Sequence, residues 1–450
     1  MERGKSMPKA MFRNLTKENP NFVRGEGIYL FDDKNRKYID GSSGSSLVCN
    51  IGHGIEEVAN VMTPQAKILT YNPTHCSHSD AYVEMADVLN NFTPEGLNTV
   101  FAVNAGSEAT ETALKFIRQY QVNRGFPSKY IVISRWQSYH GNTIGSLSSC
   151  GHTFRRRKHT PFLKAFPHIP PAFCYRCHFE KSFPECNLLC ARVLENAILQ
   201  EGPENISVFI AEPVVGAALG AVPAPEGYFQ IIDEICKKYD VVFIVDEVMC
   251  GMGRTGDNFA INHWDVIPDA IATAKGMGGG YFPIGACIIS NDIMNPMIEG
   301  GYVFEGGHTH SGQLLSCKVA TAVMKYVIKN NLVENAKEVG QHLLNGLNEL
   351  KDTFEFIGDI RGKGLMCGVE FVKDKTTKEP FPTQMKVAEM VMNECFDNGL
   401  IVFPGHGTVN GVAGDHLLIG PPLTISKSQV NDIIKILTTS LNNLTKELKI

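Results

Sequence analysis

The chain has 450 residues, 43% of them hydrophobic and 20% charged, with 42 basic and 47 acidic side chains and a formal net charge of −5. That length exceeds what one core usually supports, so two domains of unequal size are expected. The ordinary composition argues against disorder, and the near-neutral charge gives no affinity for nucleic acid or anionic lipid.

The first 17 residues carry five basic groups and one acid but no apolar stretch, so a secretory signal is excluded. A solvated arm is the expectation there, with a mitochondrial transit peptide as the alternative. No apolar run approaches the ~18 residues that a membrane helix needs. Residues 28–31 and 38–40 are strand-like. From about residue 98 short apolar runs alternate with helical periodicity: strands at 99–103, 129–134, 207–215, 241–245, 270–274 and 286–290, with helices at 107–121 and 228–239. Such alternation predicts an α/β layer on a mainly parallel sheet. The last third changes character, with helices at 313–329 and 332–350, a strand at 364–372, a helix at 383–398, two short strands and a terminal helix from Ser426. The expected division is therefore a large domain over 61–312 and a smaller α+β domain over 313–450, which residues 1–60 join. Thirteen cysteines without a signal peptide suggest free thiols in a reducing compartment, and cytoplasm is the expected location.

Three segments carry chemistry. Asp246 ends the apolar run Val241-Val-Phe-Ile-Val245, and ligands of open α/β sheets sit beyond the carboxyl ends of strands. Lys275 follows another apolar run and precedes glycines; a lysine so placed loses solvation, which lowers its pKa and makes it a better imine-forming nucleophile. In Asn104-Ala-Gly-Ser-Glu-Ala109 a strand turns into a helix, where Gly106 frees the backbone and Ser107 stands among amides that attract a phosphate. Ser138-Tyr-His-Gly141 adds an aromatic able to lie on a flat ring. Alone, each has a bland explanation as a cap or a surface charge. The glycines after Lys275 lack the G-x-G-x-x-G spacing, which disfavours a nicotinamide enzyme. Cys174, Cys177, Cys186 and Cys190 have a first spacing that suits a zinc knuckle, but reduced structural thiols and no metal are the expectation. Arg155-Arg-Arg-Lys158 is expected to be a solvated turn.

Together the segments resemble the class III aminotransferases. The matching stretches are Asp40-Gly-Ser-Ser-Gly44 with Gly52-His53, Gly106-Ser-Glu-Ala109, Tyr139-His-Gly141, Ala211-Glu-Pro213, Asp246-Glu-Val248 running into Gly253-Arg-Thr-Gly256, Ala274-Lys-Gly276, Thr309 within Gly307-His-Thr-His-Ser-Gly312, and Arg361-Gly-Lys-Gly364. The resemblance spans roughly residues 20–445 and implies the fold-type I architecture, with a mainly parallel seven-stranded sheet, and pyridoxal 5′-phosphate as cofactor. It further implies that Lys275 carries the cofactor as a Schiff base and that Asp246 pairs with its ring nitrogen. Tyr139 and Val248 would flank the ring. Gly106 and Ser107 would hold the phosphate. Glu212 would stand on the substrate side, with His140 counted in the cofactor-binding set. Thr309 matches a residue that reaches the phosphate of a neighbouring subunit, implying a homodimer, or a tetramer built from it, with shared sites.

Two departures bear on specificity. The segment after Thr309 reads His310-Ser-Gly-Gln313-Leu314, where the family commonly has an aromatic, and Leu47 or its neighbour occupies a position that is often bulky and aromatic. The implied activity is ping-pong transfer of an amino group from an amine or ω-amino acid to a 2-oxo acid. An aminomutase, racemase or decarboxylase on the same scaffold is the alternative. Between Glu212 and Leu219 there is no polar side chain, and the loop over 405–415 holds no arginine. An unpaired second carboxylate there would cost several kcal/mol, so pyruvate is the expected acceptor.

Overall fold

The computed structural model describes residues 10–13 and 19–448. The choice between a solvated arm and a transit peptide over the first 17 residues lies mostly outside them. The chain opens with an antiparallel meander of β1 (Phe22–Glu26), β2 (Tyr29–Asp32) and β3 (Lys37–Asp40). β1 was not expected, because its residues are almost all exposed and leave no apolar signature.

The central segment supplies β4 (Leu97–Val103), β5 (Ile131–Arg135), β6 (His168–Ile169), β7 (Ile206–Ala211), β8 (Val214–Val215), β9 (Val222–Pro223), β10 (Val242–Asp246), β11 (Ala270–Thr273) and β12 (Gly285–Ser290). Seven of these form one sheet in the order β4-β12-β11-β10-β7-β5-β6. β12 runs antiparallel to both neighbours, and the other four pairings are parallel. Every residue of β7, β10, β11 and β12 is buried, which is why these strands show unbroken apolar runs. Alternate side chains feed opposite faces: Phe209, Phe243 and Val245 join the larger core, while Val208, Ile210, Val242 and Ile244 pack under the helix Gly106–Asn123. The expected strand over 207–215 is two strands. Pro213 has no amide to donate, and Val214–Val215 leaves the sheet to pair with Val222–Pro223.

The last third holds β13 (Ile357–Lys363), β14 (Met366–Phe371), β15 (Leu400–Ile401), β16 (Phe403–Val409) and β17 (Ala413–Ile419). Four of them make an antiparallel sheet, β13-β14-β17-β16, while β15 pairs in parallel with β3. The expected strand over 364–372 is the second arm of a hairpin whose first arm, β13, is disguised by its glycines and charges. The helix expected over 383–398 begins as a single tight turn at Thr383–Met385. The chain then passes through the left-handed Lys386 (φ 53°) before the helix Val387–Asp397. Among the described residues no helix is long and apolar enough to cross a membrane.

Candidate active site

Five strands that run the same way, β4, β5, β7, β10 and β11, each release one chemically significant segment at the carboxyl end. Gly106 and Ser107 follow β4, Tyr139 and His140 follow β5, and Glu212 follows β7. Asp246 closes β10, and Lys275 lies two residues beyond β11. All seven residues, with Val248, line one cavity of about 330 Å³. The rest of its wall is mainly apolar, including Val48, Ala217, Met249, Phe282 and Ile284.

The polar groups hold one another in place. One Asp246 carboxylate oxygen lies 2.8 Å from His140 Nδ1, and the other accepts the Val248 amide at 3.0 Å. Both residues are buried, at 3% and 2% exposure, and among the described residues His140 Nε2 has no partner. Glu212 accepts the amides of Tyr139 at 3.0 Å and Gly216 at 2.9 Å, which locks the aromatic to the apolar loop after β7. Burial pushes the Glu212 pKa up, opposed by His140 and by the two amides. Burial also holds the Lys275 ammonium below the usual lysine value, with the charges of Asp246 and Glu212 working the other way. Lys275 has φ +43°, a left-handed conformation that a lysine adopts only under constraint.

Close packing explains the glycines. A Cβ on Gly106 would lie 2.6 Å from Val248 Cγ1, and one on Gly276 would lie 2.1 Å from Asn50 Nδ2. The helix Gly106–Asn123 starts from Ala105, and among the described residues no side chain caps it. The amides of its first turn therefore stand without a helical partner where Gly106 and Ser107 line the cavity. Ser107 Oγ accepts the Asn142 amide at 2.9 Å, which fixes the hydroxyl at the same end.

Thr309 stands apart. It lies on an exposed turn outside the cavity, where its carbonyl accepts the Tyr71 hydroxyl. Arg254, which lay in a matching motif without an assigned role, is buried. It donates to the Leu365 carbonyl at 3.0 Å and to Asn50 Oδ1 at 2.7 Å, with further bonds to Pro421 and Ser43. It ties segments far apart in the chain rather than entering the cavity. The four clustered thiols, Cys174, Cys177, Cys186 and Cys190, are free and surround a cavity of about 20 Å³. Of the run Arg155-Arg-Arg-Lys158, only Arg157 and Lys158 form the exposed turn expected of it. The helix Thr153–Arg156 holds Arg155 and Arg156 half-buried, because their guanidinium groups lie over Tyr139 and Trp136. Sequence reasoning also left His140 without chemistry. The available signal was a histidine beyond the end of a strand parallel to the one that ends in Asp246.

A lysine and an aspartate at the ends of adjacent parallel strands, opposite an uncapped helix N-terminus, define a fold-type I transferase site. Residues 13–441 match the family model for aminotransferase class-III. The chain is 37% identical over 435 residues to the uncharacterised aminotransferase YodT of Bacillus subtilis (strain 168), covering 97% of this chain and 98% of that one. It is 34% identical over 430 residues to the putrescine–pyruvate aminotransferase of Pseudomonas aeruginosa, covering 95% and 91%. A solved structure of the omega transaminase from Pseudomonas jessenii in complex with PMP matches with a TM-score of 0.88 at 31% identity, covering 95% of this chain and 93% of that one. The chain belongs to the class III aminotransferases, and it is an aminotransferase.

Proposed function

We propose that this enzyme moves an amino group from an amine or ω-amino acid to pyruvate, in two half-reactions that share one site. In balance, the donor carbon loses a hydrogen and its nitrogen and becomes a carbonyl, and the keto carbon of the acceptor gains both. No external oxidant is consumed. Pyridoxal 5′-phosphate, when bound, supplies the nitrogen carrier and the electron sink. The residues suit that group. Uncapped amides at Gly106 and Ser107 answer a phosphate, Asp246 offers a carboxylate braced by His140, and Tyr139 and Val248 stand ready to flank a flat ring. Lys275 provides the covalent anchor, and its amine then takes the proton from the donor Cα and returns one to the acceptor carbon. A lowered pKa favours that exchange near neutrality.

The observation that carries the acceptor is the apolar wall. After Glu212 the chain reads Pro-Val-Val-Gly-Ala-Ala-Leu219, with Val215, Ala218 and Leu219 buried in one cluster and Ala217 facing the cavity. Pyruvate brings only a methyl group to such a wall, whereas 2-oxoglutarate brings a second carboxylate that needs a cation. The P. aeruginosa relative, named for pyruvate, is in keeping with this. We place the cofactor in residues 61–312, with 1–60 and 313–450 forming the smaller domain beside it, in a homodimer. Exposed Ile68, Leu69 and Tyr71 next to Thr309 suit a subunit contact.

The test is a donor and acceptor screen on the purified holoenzyme. Amine alone should drive the spectrum to the pyridoxamine form. Pyruvate should then restore it with higher kcat/KM than 2-oxoglutarate, and Lys275→Ala should lose both covalent attachment and turnover. A clear preference for 2-oxoglutarate would overturn the acceptor, and failure of any amine to produce the pyridoxamine form would overturn amino transfer.

A further inference from the structure

The pyruvate carboxylate itself needs a cation. The apolar loop after Glu212 supplies none, and the one cation of the loop over 405–415, His406, is already engaged by Glu389 and Asp415. Three arginines lie in a row at 155–157, and each guanidinium rests on an aromatic ring: Arg155 on Tyr139 at 4.8 Å from the centroid, Arg156 on Trp136 at 5.5 Å, and Arg157 on Phe154 at 5.0 Å. Tyr139 is the one of those three rings that lines the cavity. Among the described residues, no carboxylate pairs with Arg155 and no hydrogen bond engages its guanidinium. Arg361, by contrast, pairs with Glu370 at 2.7 Å and Asp359 at 2.9 Å, and Arg254 donates to two carbonyls, Ser43 and Asn50, with its Nε unpaired among the described residues. Arg156 shares the lack of a partner among the described residues but lies over Trp136, which is not part of the cavity. Arg155 is thus a half-buried cation with its donors uncommitted, set against the aromatic wall beside Lys275.

Its place is rigid. The helix Thr153–Arg156 is wedged against the β16–β17 hairpin, where a Cβ on Gly411 would meet Thr153 Oγ1 at 2.4 Å and one on Gly407 would lie 3.5 Å from the Phe154 ring. Gln137 Nε2 donates to the carbonyls of Gly407 at 2.7 Å and Thr408 at 3.0 Å, clamping the same hairpin to the segment that leads into Tyr139. The charge is felt across the cavity, since Arg155 contributes to holding Lys275 below the usual lysine value and His152 down to about 4, burial being the larger cause in each.

We infer that Arg155 is the docking residue for the substrate carboxylate. It receives the single carboxylate of the 2-oxo acid in one half-reaction and the terminal carboxylate of an ω-amino acid in the other. This rests on the amino-transfer reading, and it assigns the ligand class of that site as small monoanions. A planar guanidinium presents paired N–H donors that match a carboxylate. Stacking on Tyr139 holds that plane without using those donors. A donor lacking an anion does not call on Arg155 at all, and the residue therefore separates substrates by charge.

The experiment compares Arg155→Met, Arg155→Lys and Arg157→Met as holoenzymes. Arg157, exposed on the same run, controls for loss of one positive charge. Three quantities are measured: the KM of pyruvate, the Kd by calorimetry of propionate (a carboxylate with no keto group), and the rate of pyridoxamine formation from n-butylamine. Arg155→Met should raise the pyruvate KM and the propionate Kd by about 30-fold each, the loss expected for a charge-assisted hydrogen-bonded pair. Its n-butylamine half-reaction should stay within about threefold of wild type, below half a tenfold step in free energy. Arg155→Lys should recover part of the propionate affinity, and Arg157→Met should leave all three unchanged. Unchanged pyruvate KM and propionate Kd in Arg155→Met would overturn the assignment, as would equal losses in Arg157→Met. If n-butylamine fails even with wild type, amino transfer from simple amines fails, while the propionate comparison still decides Arg155 by itself.

Discussion

Gly106 has no room for a side chain, because Val248 occupies the space that a Cβ would take, at 2.6 Å. The valine thereby seats its branched face against the first turn of the helix, beside the amides that answer a phosphate. Gly106→Ala must push either the valine or the helix start, and the cofactor is the group that registers the shift. We expect the affinity for pyridoxal 5′-phosphate to fall by more than about tenfold, about 1.4 kcal/mol. Gly106→Ala/Val248→Ala should recover much of it, since the second substitution removes the clash. Cofactor titration of the apoenzymes, followed by fluorescence, measures the cycle. Strict additivity would show that the two residues do not share that space. The same logic separates His140 from Asp246. The histidine lies against one oxygen of the carboxylate, and on the proposed reading the carboxylate is the group that would meet the cofactor.

Elements beside the site are tied to one another by charged side chains. In β16, His406 Nδ1 lies 2.7 Å from Asp415 of β17, and its Nε2 lies 2.9 Å from Glu389 in the helix Val387–Asp397. Hydrogen bonds to Asp415 and then Glu389 raise the His406 pKa to about 9. A raised folded-state pKa stabilises fully below the unfolded value of about 6.5, and that contribution is lost as pH climbs through about 9. His406→Gln should therefore lower the thermal midpoint most near pH 6, and the gap from wild type should close above about pH 9. Thermal unfolding across that range is the measurement, and a gap that stays constant with pH would remove His406 from the account. Because the same hairpin braces Thr153 and Phe154, the variant should also loosen the segment that carries Arg155.

At the scale of the whole molecule, Thr309 lies exposed and outside the cavity. If a partner subunit brings its own Thr309 to the phosphate, Thr309→Ala should weaken cofactor retention without disturbing the monomer fold. Sedimentation should give a dimer or larger. A fully active monomer at assay concentration would contradict that assembly. The apolar strip of Ile68, Leu69 and Tyr71 predicts a hydrophobic centre for the contact.

Much of the architecture was legible in the chain because buried parallel strands must be apolar on both faces. β10, β11 and β12 announced themselves within a residue, β7 did so at its start, and Asp246 and Lys275 stood where expected beside β10 and β11. β1 and β13 stayed hidden because exposure and glycines erase that signal, and the split after Ala211 followed from a single missing amide at Pro213. Motif spacing brought Lys275, Asp246, Gly106 and Tyr139 onto one list but could not say what they touch. Only the tertiary structure joined His140 to Asp246 and Glu212 to the Tyr139 amide, because those bonds cross between strands far apart in sequence. It also turned Arg155 from a surface charge into a half-buried cation over the Tyr139 ring, which lines the cavity. A cation's partners are set by which rings and helices fold against it, and local sequence carries no record of that.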